Sequence, residues 1–164
     1  MSQIDVPDGT LIADDAQRTG GFADSFVTRV PGTVPLPVYV EAFYTSRLFR
    51  AERVLLGLAG HPSTDTEARA VAEGSADRIA VWGHPVRRGD ELLMPQLSGA
   101  TASWFMTRSV GTETELCFGT IVRPGKSGAK RMPWVYRALS GFHRLYSRLL
   151  LASAARRVRT VQQG

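Results

Sequence analysis

From Arg123 to the C-terminus the chain carries ten basic residues and no acidic one, while the stretch before it carries ten basic and fifteen acidic residues. Within that basic segment, "SGFHRLYSRLLLASAARRVR" (140–159) places apolar residues at helical spacing. Pro133 suits the first position of a helix, so one helix is expected from there to about Thr160, ~28 residues and ~42 Å long. At ~100° per residue, Val135, Leu139, Phe142, Leu145, Tyr146, Leu149 and Ser153 share a face, with Arg137, Arg144, Arg148 and Arg159 on the far side. The stripe is too wide for a helix surrounded by water, and the arginines are too many for one that crosses a bilayer. Such a helix needs a surface to lie on.

The preceding sequence supplies one. "RIAVWGHPV" (78–86), "ELLMPQL" (91–97), "TASWFMTRSV" (101–110) and "ELCFGTIVR" (115–123) read as four strands joined by "RRGD", "SGA" and "GTET". Links that short imply an antiparallel meander. "GFADSFVTRV" (21–30) alternates as a fifth strand. Between it and the meander, short helices are expected from Val38 through Leu58 and at 65–73. The second has a capping-box spacing, Thr64 with Glu67, and a stop at Gly74. Residues 1–20 read as a polar, irregular arm, 21–160 as one α+β domain and 161–164 as a tail. The sheet would lack a cover without the last helix, which favours packing over the two external roles for its arginines. A membrane surface ranks second. Nucleic acid ranks last and is not expected, because the aromatics lie opposite the arginines.

The chain has 164 residues, 43% of them apolar, enough for one sizeable core. Its single cysteine, Cys117, cannot form an internal disulfide, so a reducing, cytoplasmic setting is expected. The first residues lack the pattern of a secretory signal. No metal site is expected, because His61, His84 and His143 are scattered. "GKSGAK" lacks the spacing of a phosphate loop. Arg88-Gly89-Asp90 reads as turn chemistry. No cofactor is called for.

The order strand, paired helices, antiparallel meander, long terminal helix resembles the helix-grip architecture of the Bet v 1-like group, which includes START domains and polyketide cyclases. In that group a bent sheet wraps the final helix around a cavity. The family pattern has seven strands. Five are found here, and a further one is expected in residues 4–13 or near Asp77. The phrases "FADSFVTRV", "AERVLLGLAGHPSTD", "RIAVWGHPVRRGDELLM", "ATASWFMTRSV", "ELCFGTIV" and "FHRLYSRLLLASA" are together similar to bacterial proteins of the DUF2867 type, related to the helix-grip group. The resemblance implies a fold and a compartment, and no reaction.

A cavity of this kind would be lined by Trp82, Trp104, Met106, Phe118, Phe26 and Tyr146, although such side chains more often fill a core. Asp24 shares a strand face with Phe22 and Phe26, so its carboxylate points where apolar residues point. Glu52, Asp65 and His84 are further polar candidates, with Glu52 expected to pair with Arg53. His143 lies at the border of the helix stripe, as a pocket base or as a boundary histidine bonded to a neighbour. Three functions follow. The first is binding of a hydrophobic or amphipathic small molecule. The second is cofactor-free catalysis of the cyclase, isomerase or hydrolase kind, with Asp24 and His143 as the acid/base pair. The third is a membrane-peripheral or partner-binding role for the basic helix face. Self-association stays open.

Overall fold

The computed structural model describes residues 2–124 and 133–162, with side chains described for 2–124, 145–160 and 162. The chain is α+β. Its elements are β1 (Ser2–Ile4), α1 (Leu11–Thr19), β2 (Phe22–Pro31), α2 (Leu36–Tyr44), α3 (Arg47–Leu58), α4 (Asp65–Glu73), β3 (Arg78–Ile79), β4 (Trp82–Gly83), β5 (Val86–Arg88), β6 (Glu91–Pro95), β7 (Thr101–Val110), β8 (Glu113–Val122) and α5 (Pro133–Gln162). Six strands form one antiparallel sheet in the order β1-β2-β8-β7-β6-β5, and β3 and β4 form a separate two-stranded ribbon.

Local signals set most boundaries. Ser46 accepts from the Phe49 N–H to start α3, and Thr64 with Glu67 completes the capping box of α4. Two expectations are corrected. The segment 78–86 is not one strand. Ala80 has φ 50° and His84 has φ 57°, a left-handed backbone that interrupts the extended run on either side of Trp82. Residues 1–20 are not irregular either. They hold β1 and α1, and α1 is capped by the Thr10 hydroxyl and closed by Gly20 at φ 65°. The polar letters of "ADDAQRT" hide a helix whose buried side is only Leu11, Ile12 and Asp15.

That first helix explains why the long strands are buried on both faces. On one side α1 covers Leu93, Ala102, Trp104, Cys117 and Ile121. On the other, α2 and α5 cover Phe26, Val30, Leu92, Met94, Phe105, Leu116 and Phe118. The two sides follow from the period of two along each strand. Glu91 ties the first layer together. Its Oε2 accepts from the Leu11 N–H at 2.7 Å and from the Trp104 indole N–H at 2.8 Å. The carboxylate thus meets the positive end of α1.

Beyond the reach of α1, Arg29, Glu115 and Arg108 stand in one row across β2, β8 and β7. Arg29 donates to Glu115 Oε1 at 3.1 and 2.9 Å, and Arg108 donates to Oε2 at 2.9 and 2.5 Å. Burial works against the charge on Glu115, but the two guanidiniums outweigh it and hold the carboxyl below its usual range. A carboxyl whose pKa is depressed on folding adds stability above its unfolded value of ~4.3 and loses it as pH falls through the folded value. Glu115→Gln is therefore expected to be less stable than the parent at neutral pH. In urea titrations the gap should close as pH drops below ~4.3. A gap that is constant with pH would show that packing, and not charge, sets the effect.

α5 packs on α2, β2 and β8, as a covering helix should. Its buried stripe is not the expected one. Ser147, Leu150, Leu151, Ala154, Ala155 and Val158 face inward, while Leu145 and Leu149 are 56% and 46% exposed. The inner side mixes Ser147, Ala154 and Ala155 with Leu150, Leu151 and Val158, and the small residues let the helix axis approach the sheet closely. Phe142 and the side chains before it fall outside the described residues.

Candidate functional site

The sheet face under α2 and α5 is organised in rows set by strand register. One row reads Phe26, Phe118, Phe105, Leu92. It is closed over by α2, whose Phe43 ring stacks on Phe118 at 4.8 Å and meets Phe105 edge-on at 4.8 Å. Tyr39 adds an edge contact to Phe105 at 5.8 Å and donates to the Cys117 carbonyl at 3.1 Å. This half of the interior is filled. The next row along, ~7 Å away, reads Asp24, Thr120, Ser103, Met94. Here three small polar side chains replace three phenyl rings. Asp24 and Thr120 are each only 6% exposed. Ser103 is half-buried, and beyond it Thr101 is half-buried and Phe22 exposed.

α5 carries a further buried polar group. Arg159 and Gln162 donate to the carbonyls of Arg29 and Pro31, each at 3.2 Å, and tie the end of α5 to the end of β2. The Ser147 hydroxyl is buried and has no hydrogen-bond partner among the described residues. A buried hydroxyl without a partner is unusual in a settled core.

A separate polar cluster joins α2, α3 and α5. The Tyr146 hydroxyl donates to Glu52. Partial burial raises the Glu52 carboxyl above its usual value, and the Tyr146 bond offsets only part of that rise. Tyr44 is fully buried, and its hydroxyl has no hydrogen-bond partner among the described residues. Burial first, then the charge of Glu52, pushes its pKa up, with Arg87 opposing. Trp82 closes the cluster, 5.5 Å from Phe49 and 6.4 Å from Tyr44. A carboxyl with a raised pKa holds its proton more readily than a free glutamate does.

The candidate residues of the sequence separate accordingly. Phe26, Phe118 and Asp24 lie on the helix-facing side, and Tyr146 and Trp82 pack at its border. Trp104 and Met106 do not join them. They stand on the opposite face under α1, because their positions are odd-stepped from Phe105. Glu52 pairs with Tyr146 and not with Arg53, which instead binds Asp65 at 2.6 Å. The cause is helix geometry, since adjacent residues on a helix point apart. Asp65 is thereby occupied at the start of α4, and His84 is exposed. The His143 side chain lies outside the described residues. Cys117 is buried, and burial together with the nearby Glu115 charge pushes its thiol up to about 12, so it is not a nucleophile at neutral pH. Ser103, Thr120, Ser147 and Tyr44 were not singled out from sequence. The signal for the first two was present, as small polar residues two positions from Phe105 and Phe118 on inward-facing steps.

A cleft of about 230 Å³ is lined by residues including His61, Glu67, Arg78 and Ala80. Among the described residues no three metal-ligand side chains converge, and no helix is long and apolar enough to cross a membrane. Comparison with known proteins finds no matching family model, no matching curated protein and no matching solved structure.

Proposed function

We propose that the protein binds a hydrophobic or amphipathic small molecule between the sheet and α5, over the row Asp24, Thr120, Ser103. The observation that carries this reading is the step from a filled aromatic row to an adjacent row of small polar side chains. Ligand sites are largely apolar with a few placed polar groups. Phe26, Phe118 and Met94 supply the apolar border, and Asp24 and Ser147 supply the polar contacts. The pairing of the first long strand with the last, followed by a covering terminal helix, supports a helix-grip arrangement. It differs from the simplest form in having α1 on the outer face. The lone buried thiol fits a cytoplasmic protein.

Ser103→Phe extends the aromatic row into the proposed space. Titration with the neutral solvatochromic dye Nile red is expected to show about one site per chain in the parent and at least ~10-fold weaker binding in the variant, with little change in unfolding temperature. Equal dye binding by both proteins would remove this reading. A second reading, favoured by the burial of Asp24, makes the same hollow a cofactor-free active site in which Asp24 and His143 exchange a proton with the ligand. Asp24→Asn separates the two. A binding protein retains its ligand with altered affinity, whereas an enzyme loses turnover with the ligand still bound.

A further inference from the structure

Over residues 145–160, α5 has one apolar face used by the fold and further apolar residues exposed on the opposite side. The inner face is Ser147, Leu150, Leu151, Ala154, Ala155 and Val158. At ~100° per residue, Leu145, Leu149 and Arg156 fall roughly opposite its centre, with Arg148 and Arg159 on the shoulder. All five are exposed. The helix next to it repeats the pattern. α3 packs on α5 and is joined to it by the Tyr146–Glu52 bond. Three apolar residues that follow Glu52 are exposed, Val54 at 65%, Leu55 at 68% and Leu58 at 83%. Single exposed leucines need no explanation, but five on two touching helices do.

The charge around them selects an occupant. The sequence of α5 holds six arginines and no acidic residue. The one acidic residue of α3, Glu52, is engaged by Tyr146. A second copy of this surface would bring like charges together. A protein partner would be expected to meet aromatic anchors on this surface, and these exposed residues are all aliphatic. Exposed leucines flanked by arginines suit a surface that is apolar beneath and anionic above. We propose that the outer face of α5, with the exposed end of α3, rests on an anionic lipid surface. The helices lie on the bilayer and do not cross it. This is independent of the ligand reading, because none of these side chains faces the sheet.

Co-sedimentation with vesicles tests it on the full chain. Vesicles of phosphatidylcholine with about 30% phosphatidylglycerol are expected to capture the protein at least ~10-fold better than phosphatidylcholine alone, with loss of capture in about 0.5 M salt. The double variant Leu145→Ser/Leu149→Ser should lose roughly tenfold in partitioning with its unfolding temperature unchanged. Arg148→Glu/Arg156→Glu should do the same. No capture by the anionic vesicles would overturn the proposal. So would equal capture by neutral ones. Capture that survives the leucine changes but not the arginine changes would also overturn it, marking simple attraction to polyanions such as an acidic protein.

Discussion

Trp104→Ala is expected to destabilise the protein by about 4 kcal/mol, the largest effect of any single truncation named here. Trp104 is fully buried among Leu11, Ile12, Leu93 and Ile121. Its loss opens a cavity on the α1 side of the sheet. It also removes the indole donor at 2.8 Å from Glu91, leaving a buried carboxylate with less support. The same carboxylate oxygen holds the first N–H of α1, so the helix should loosen with it. Urea denaturation would read the total loss. Limited proteolysis would read its location, with cleavage expected within the first 20 residues before the rest of the chain. Trp104→Phe keeps most of the packing and loses the donor, so a loss of about 2 kcal/mol is expected. Equal losses for the two variants would show that the hydrogen bond, and not the volume, carries the contribution.

Gly119→Val should rank second, at about 3 kcal/mol. Gly119 sits between Ser25 and Trp104 in the strand register, under α1. A Cβ there would lie 2.5 Å from Ile12 Cδ1, 2.8 Å from the Asp24 carbonyl oxygen and 3.0 Å from Trp104 Cε3. The Ile12 methyl could move aside, but the Asp24 oxygen belongs to the paired strand and cannot move without disturbing the ladder. Ile12→Ala is itself costly at a fully buried site, and its coupling to Gly119→Ala should therefore recover only part of the Gly119→Ala loss. A thermodynamic cycle on these two positions would measure that part. A coupling as large as the whole Gly119→Ala loss would mean that the strand backbone yields more easily than its pairing implies.

Both predictions concern a layer that was hard to read from sequence. α1 buries three side chains out of nine residues, so its apolar signal is too thin to separate from a polar arm. Once α1 is overlooked, Trp104 and Met106 have no partner on their own face and are drawn to the wrong side. The long strands were legible because period-two alternation is intrinsic to them. α4 was legible because its capping box and Gly74 are local chemistry. The rotation of α5 was not, since large residues dominate a helical wheel while small ones decide how close a helix can come. The polar row was half legible. Asp24 stood out as a carboxylate on an apolar face, but Thr120 and Ser103 join it only through register, which depends on how strands far apart in sequence pair. Glu52 and Tyr146 are 94 residues apart, and no local pattern links them.

Native mass spectrometry of the freshly purified parent and of Ser103→Phe, side by side, tests the central claim most directly. The account predicts a non-covalent adduct of one small molecule per chain on the parent and the bare chain for the variant. An adduct of the same mass and abundance on both proteins, or the bare chain for both, would contradict a ligand seated over Asp24, Thr120 and Ser103.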